Sequence, residues 1–159
     1  MSSAKPPGPI AEDGGTSVRL AQGVQSAQRR FVVAHPVVHF EVIGRNPDKL
    51  RRYYGELFGW TFDTPSPVAK EVSDADGYGF IELITAEDGT GIRGGIGGGE
   101  GYASHAVFYV GVQDVEAALR RAEILGGTRV MGPARSPNGL VVGHFTDPDG
   151  TLIGVAGVS

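Results

Sequence analysis

The chain passes through one series of strand and helix signals twice. "HPVVHFEVIG" opens the first pass, alternating β-branched and aromatic residues with others in the manner of a strand. Val38, Phe40 and Val42 fall on one face of it, and Val37, His39 and Glu41 on the other. "NPDKLRRYYGELFG" follows with both helix ends marked: Asn46 as N-cap, Pro47 at the first helical position and Gly59 closing the end. Leu50, Tyr53, Tyr54, Leu57 and Phe58 recur at helical spacing and predict a buried stripe. "WTFDT", "YGFIELI" over 78–84 and the glycine-rich "GIRGGI" over 91–96 read as strands. The second pass is "HAVFYVGV" as a strand, then "DVEAALRRAEILGG" as a helix capped by Asp114 and ended by Gly126 and Gly127. "TRVM", "LVVGHF" and "TLIGVAG" complete it as strands. Even the punctuation returns, "GWTFDTPSP" against "GGTRVMGPARSP" and "EDGTGIRGG" against "PDGTLIGVAG". This is an internal repeat of a β-α-β-β-β unit, with a period a little over roughly sixty residues.

A length of 159 residues allows one domain or two small similar units sharing a core. The predicted class is α+β, with module 1 at about 36–96, "GGGEGYAS" (97–104) as linker and module 2 at about 105–157. Residues 1–30, rich in Ser, Pro, Gly, Ala and Gln, read as a flexible tail with a short helix in "SVRLAQGVQSAQRR"; the domain proper is 31–159. A net charge of −4, with no cluster of Lys and Arg, argues against a nucleic-acid partner. The absence of cysteine removes disulfides, thiolate zinc sites and a cysteine nucleophile together. No apolar run approaches the roughly 20 residues needed to span a bilayer, so no membrane partner is expected. The N-terminal lysine has no apolar stretch behind it, which makes a cytoplasmic location the default.

Two features invite a functional reading before any resemblance is considered. "GIRGGIGGGEG" has the composition of a phosphate cradle, but such a loop needs a helix N-terminus just downstream and here a strand follows. It reads as a strand end and a linker. "VVHFEV" places His39 and Glu41 on one face of the first strand. A histidine near its unperturbed pKa of about 6.5 can take and return a proton at neutral pH. His39 therefore reads either as an acid/base group or as a polar residue satisfied inside a cavity.

The two units, with "FEV…LRRYYGELFGW" in the first and "DVEAALRRAEILGG…FTDPDGTLIGV" in the second, resemble the vicinal oxygen chelate superfamily of glyoxalase I, extradiol dioxygenases and bleomycin-resistance proteins. The resemblance spans about residues 36–157 and implies strands curled into an incomplete barrel around a cavity, with helices outside and a homodimer as the usual assembly. Metal-dependent members draw ligands from the first and fourth strands of each unit. His39 falls on the first-unit position; its second-unit counterpart, counted back from Asp114, is Val107. The last-strand carboxylate is replaced by Gly154, and the remaining slot is Arg93, Gly94 or Gly95 depending on register. Three of four positions thus lack a ligand, so neither metal nor other cofactor is expected. A rearranged set of His39, Glu41 and His105 is the alternative.

The implied activity is metal-independent proton transfer on a carbonyl compound, as in an isomerase, lyase or cyclase. His39 is the acid/base, Glu41 orients it, and Tyr109 or Arg93 steadies an oxyanion, Arg93 turning a lost ligand slot into an anion acceptor. His105, Val107, His144 and Gly154 complete the expected substrate-binding set. Sequestration of an antibiotic or hydrophobic metabolite without chemistry is the alternative; a third reading is a metal-dependent lyase or dioxygenase through the rearranged site. Trp60 reads as core, His35 as surface, and Glu82 is set aside because it lies on a third strand.

Overall fold

The computed structural model describes residues 34–82 and 85–159. The tail read for residues 1–30 lies outside them, as do the last two residues of "YGFIELI". The elements in order are β1 (Val37–Gly44), α1 (Pro47–Phe58), β2 (Phe62–Asp63), β3 (Gly79–Ile81), β4 (Arg93–Gly98), β5 (His105–Gly111), α2 (Val115–Ile124), β6 (Thr128–Arg135), β7 (Val141–Thr146) and β8 (Leu152–Gly157). The β-α-β-β-β series therefore occurs twice. β4 runs through Gly98, two residues into the stretch read as linker.

Both helices begin where their caps place them. Asn46 Oδ1 accepts from Lys49 N at 3.0 Å and Asp114 Oδ1 from Ala117 N at 2.9 Å, each satisfying one of the otherwise unpaired amides of a first turn. Gly59 ends α1 in the left-handed conformation at φ 71°.

The strands form one mixed sheet in the order β2-β3-β4-β1-β5-β8-β7-β6. Outward from the centre, the two halves match. β1 and β5 lie antiparallel side by side, and each is flanked in parallel by the fourth strand of its own unit. β3 and β7 stand second and seventh in that order, yet Phe80 and Val142 line the same cavity. The sheet must therefore curl to bring its two wings together. The connection between β2 and β3 crosses the opening, where Ala69 N donates to Ser136 Oγ at 3.1 Å.

The two helices pack differently. Val115 and Leu119 of α2 are fully buried against Val141 and Val155. The stripe expected on α1 is not buried: none of its residues is, and Tyr53, Leu57 and Phe58 are each more than half exposed. The physical reason is at β4. Gly94 has no side chain to receive the helix, and the Phe40 ring occupies the space above it, where a Cβ would otherwise stand. Tyr54, Phe58 and Trp60 then pack on one another, and Trp60 on Phe40, with centroids 5.0–5.9 Å apart. Trp60 is accordingly half-buried in this external cluster, not in the core. His35 is exposed, as read from the sequence, and Glu82, set aside there as a third-strand residue, is exposed too.

This contrast makes an energetic prediction. Leu119→Ala leaves a cavity in a packed layer and should cost about 2–5 kcal/mol in urea unfolding. Leu57→Ala, at an exposed position, should change stability by no more than about 0.5 kcal/mol.

Candidate active site

A cavity of about 660 Å³ opens between the wings of the sheet. Its wall is mainly apolar, with Val38, Val72, Phe80, Leu140 and Val142 among the side chains facing it. The polar groups His39, Glu41, Tyr78, Arg93 and Tyr109 gather on one side. Strand alternation places them: His39 and Glu41 point inward from β1, as does Tyr109 from β5. The β1–β4 register settles the slot that the sequence left open. His39 stands opposite Arg93 and Glu41 opposite Gly95, so Gly94 belongs to the helix face.

Four hydrogen bonds join five side chains into one chain. His39 Nε2 lies 2.8 Å from Tyr78 Oη, which donates to Glu41 Oε2 at 3.2 Å. Tyr109 Oη donates to Glu41 Oε1 at 2.6 Å and lies 2.7 Å from His144 Nε2. Glu41 at the centre is 3% exposed. A phenol has a single proton to give, so with both phenols donating to the carboxylate each imidazole must supply an Nε2–H to a phenol oxygen. The Nδ1 atoms of His39 and His144 have no hydrogen-bond partner among the described residues.

Tyr78 was not singled out from the sequence. The available signal was the glycine-rich β4 beside an aromatic strand. A Cβ on Gly95 would collide with Tyr78 Oη, so the phenol uses the space a side chain there would fill. Gly154 does the same for Tyr109, whose ring would stand 2.5 Å from its Cβ. Glycines thus occupy a candidate ligand slot in each unit, and each lies under a tyrosine.

The electrostatics follow from burial. Desolvation raises the Glu41 carboxyl from 4.5 to about 7, against the downward pull of the Tyr109 and Tyr78 hydrogen bonds. Burial, then the charge of Arg93, lowers His39 to about 4. Burial, then His105, lowers His144 to about 4. His144 Nε2 and Glu41 Oε1 are 3.9 Å apart, but an imidazole neutral at neutral pH makes no ion pair there. Both phenols are pushed upward, first by burial and then by the charge of Glu41, and stay protonated.

The other expected residues fall elsewhere. Arg93 lines the cavity, exposed and without a salt bridge among the described residues. Val107 is buried in the core cluster, and Gly154 lies beneath the Tyr109 ring. His105 and His144 face a second, smaller pocket of about 350 Å³. His105 Nδ1 donates to Ala103 O at 2.8 Å, leaving a buried Nε2 with no partner among the described residues. The expected substrate-binding set of His105, Val107, His144 and Gly154 is therefore not assembled on the main cavity, because strand register and the two tyrosine rings stand between. Ser136 and Asn138, which do line it, carried no sequence signal. The donor set also does not fit a metal. Among the described residues no three His, Asp or Glu side chains converge, so His39, Glu41 and His105 do not form the alternative ligand group. Glu41 has both oxygens engaged by phenols, and Tyr78 stands between it and His39.

Paired β-α-β-β-β units around a cavity define the class of protein, and a family model agrees. Residues 37–155 match the Glyoxalase/Bleomycin resistance protein/Dioxygenase superfamily, and the chain belongs to it. No curated protein sequence matches the chain significantly. Among solved structures, the chain resembles a variant of Streptomyces coelicolor methylmalonyl-CoA epimerase in complex with 2-nitronate-propionyl-CoA. The TM-score is 0.54 at 15% identity, covering 77% of this chain and 96% of that one. A hypothetical protein from Bacillus halodurans is similar at TM-score 0.53 and 12% identity, covering 78% of this chain and 94% of that one. At these identities the likeness is one of fold.

The three shifted groups make a prediction for stability against pH. His39 and His144 each contribute stability that is present above 6.5 and lost as pH falls through about 4. Glu41 acts oppositely: its contribution is present below 4.5 and lost as pH rises through about 7. Between about pH 5 and 6 the native state thus binds about two fewer protons at the histidines and about one more at Glu41. Glu41→Gln removes the opposing group, so stability in urea should climb with pH more steeply than in the parent by about one proton, roughly 1.4 kcal/mol per pH unit. An unchanged slope would show that Glu41 is not held protonated in this range.

Proposed function

We propose that this protein is a metal-independent acid/base enzyme, an isomerase or lyase acting on a carbonyl compound that carries an anionic group. The observation that carries the reading is His39 at the cavity wall. Its Nε2 is fixed by Tyr78, its Nδ1 has no hydrogen-bond partner among the described residues, and Arg93, without a salt bridge among them, is its partner on the adjacent strand. A neutral imidazole lone pair suits removal of a proton next to a carbonyl. Arg93 would hold the substrate's anionic group and steady the negative charge that develops on the carbonyl oxygen. The name of the structurally similar methylmalonyl-CoA epimerase agrees with this class of reaction.

In this reading Glu41 takes a different role from the one expected of it. It does not touch His39 but reaches it through Tyr78, so the phenol, not the carboxylate, orients the imidazole. Tyr109, bonded to Glu41 and His144, is a positioning residue and not a donor to substrate. The same reading includes a homodimer and a cytoplasmic location; the exposed Tyr53, Leu57 and Phe58 support a second copy covering α1. Sequestration is the second reading, favoured by the mainly apolar wall.

The test is deuterium incorporation from heavy water into a panel of carboxylate- and phosphate-bearing ketones and thioesters, followed by proton NMR. Exchange that survives a chelator, falls about 10²–10⁴-fold in His39→Ala and shows a raised KM in Arg93→Met is the expected result. Compounds that bind without exchanging, with affinity unchanged in His39→Ala, would establish sequestration instead.

A further inference from the structure

A base that becomes charged would be badly placed at His39. Burial disfavours an imidazolium there, and Arg93 beside it adds like-charge repulsion. Glu41, the one anion in the hydrogen-bonded chain, is at the cavity wall but 3% exposed, with each carboxylate oxygen already accepting from a phenol. We propose that His39 and Glu41 act as one divided base: a proton accepted at His39 Nδ1 is matched by one passed through Tyr78 and held on Glu41. This rests on the acid/base reading above and says where the proton goes.

The bonds balance. The substrate C–H breaks and its electron pair moves to the carbonyl oxygen as an enolate, while the proton forms a bond with His39 Nδ1. The Nε2–H bond breaks as its proton passes to Tyr78 Oη, and the phenol's original proton passes to Glu41 Oε2. His39 ends as the neutral Nδ1–H tautomer, Tyr78 is again a neutral phenol, and Glu41 is a carboxylic acid. No ion pair is created; one negative charge is exchanged between Glu41 and the enolate, which lies nearer Arg93. Reversal returns the proton from the same Nδ1.

The surroundings of Glu41 suit a group that holds a proton. Tyr78 before β3, Tyr109 from β5 and His144 from β7 face it, and His39 shares its strand. Arg93 from β4 stands beside His39, and His105 faces His144. Among the described residues no Lys or Arg forms a salt bridge with Glu41, and burial pushes its carboxyl up to about 7 against the downward pull of the two phenol hydrogen bonds. The phenols, pushed above their ordinary range, pass protons without retaining or losing them. The Tyr109–His144 arm mirrors the first, so an acid proton on Oε1 would place the Nδ1–H on His144 instead.

The experiment is nitrogen-15 NMR of the imidazole side chains in the full-length protein, with pH lowered through neutrality. It needs no substrate, so failure of the relay and failure of the enzymatic reading are separate results. In the parent protein, His39 is expected to shift from the Nε2–H tautomer toward Nδ1–H while remaining neutral, with a midpoint near 7 shared with Glu41. Tyr78→Phe should abolish the shift at His39 and leave it at His144, and Glu41→Gln should abolish both. A His39 ring that keeps its Nε2–H tautomer, or becomes imidazolium in that range, overturns the proposal. A shift at His144 alone overturns it too, because the proton then leads away from the main cavity.

Discussion

A buried carboxylate that meets no Lys or Arg in a salt bridge among the described residues is the constraint around which the site is arranged. Glu41 is 3% exposed, and its two oxygens are met by two phenols. Removing a carboxylate from water is costly, and neutral donors compensate only part of that cost. The remainder appears as a proton affinity close to neutrality. Each phenol in turn needs a donor for its own oxygen, and His39 and His144 supply it from opposite sides. The tautomers of two histidines on different strands thus depend on the ionisation of one residue.

The space for this arrangement comes from missing side chains. Gly95 on β4 and Gly154 on β8 lie where another residue would project inward, and Tyr78 and Tyr109 lie across them. Tyr78 covers Gly95 from the segment before β3, and Tyr109 covers Gly154 from the neighbouring β5, so the two phenols reach the site from different positions in the two units. Among the described residues that line the cavity Arg93 is the one Lys or Arg, and it faces His39 from β4.

Much of the fold was legible because its signals are local. The helix caps at Asn46 and Asp114, the left-handed Gly59 and the alternation in "VVHFEV" depend on neighbours within a few residues. The aromatic stripe of α1 was misread because periodicity shows which residues share a face but not what that face meets. It meets Gly94 and the Phe40 ring, which give no depth in which to bury it. His39, Glu41 and Tyr109 were legible as inward residues of paired first strands. Tyr78 was not, since its partners are 37 and 39 residues away in sequence.

The sequence by itself determined the repeated β-α-β-β-β unit and the inward face of β1, both of which follow from residue type, spacing and strand parity. Only the tertiary structure decided that His39 and Glu41, two residues apart on one strand, communicate through a tyrosine from another part of the chain. It also decided that His144 belongs to the same hydrogen-bonded chain and that His105 and Val107 do not. The reason is physical: hydrogen-bond partners and desolvation depend on which strands the curled sheet brings face to face, and no local spacing encodes that.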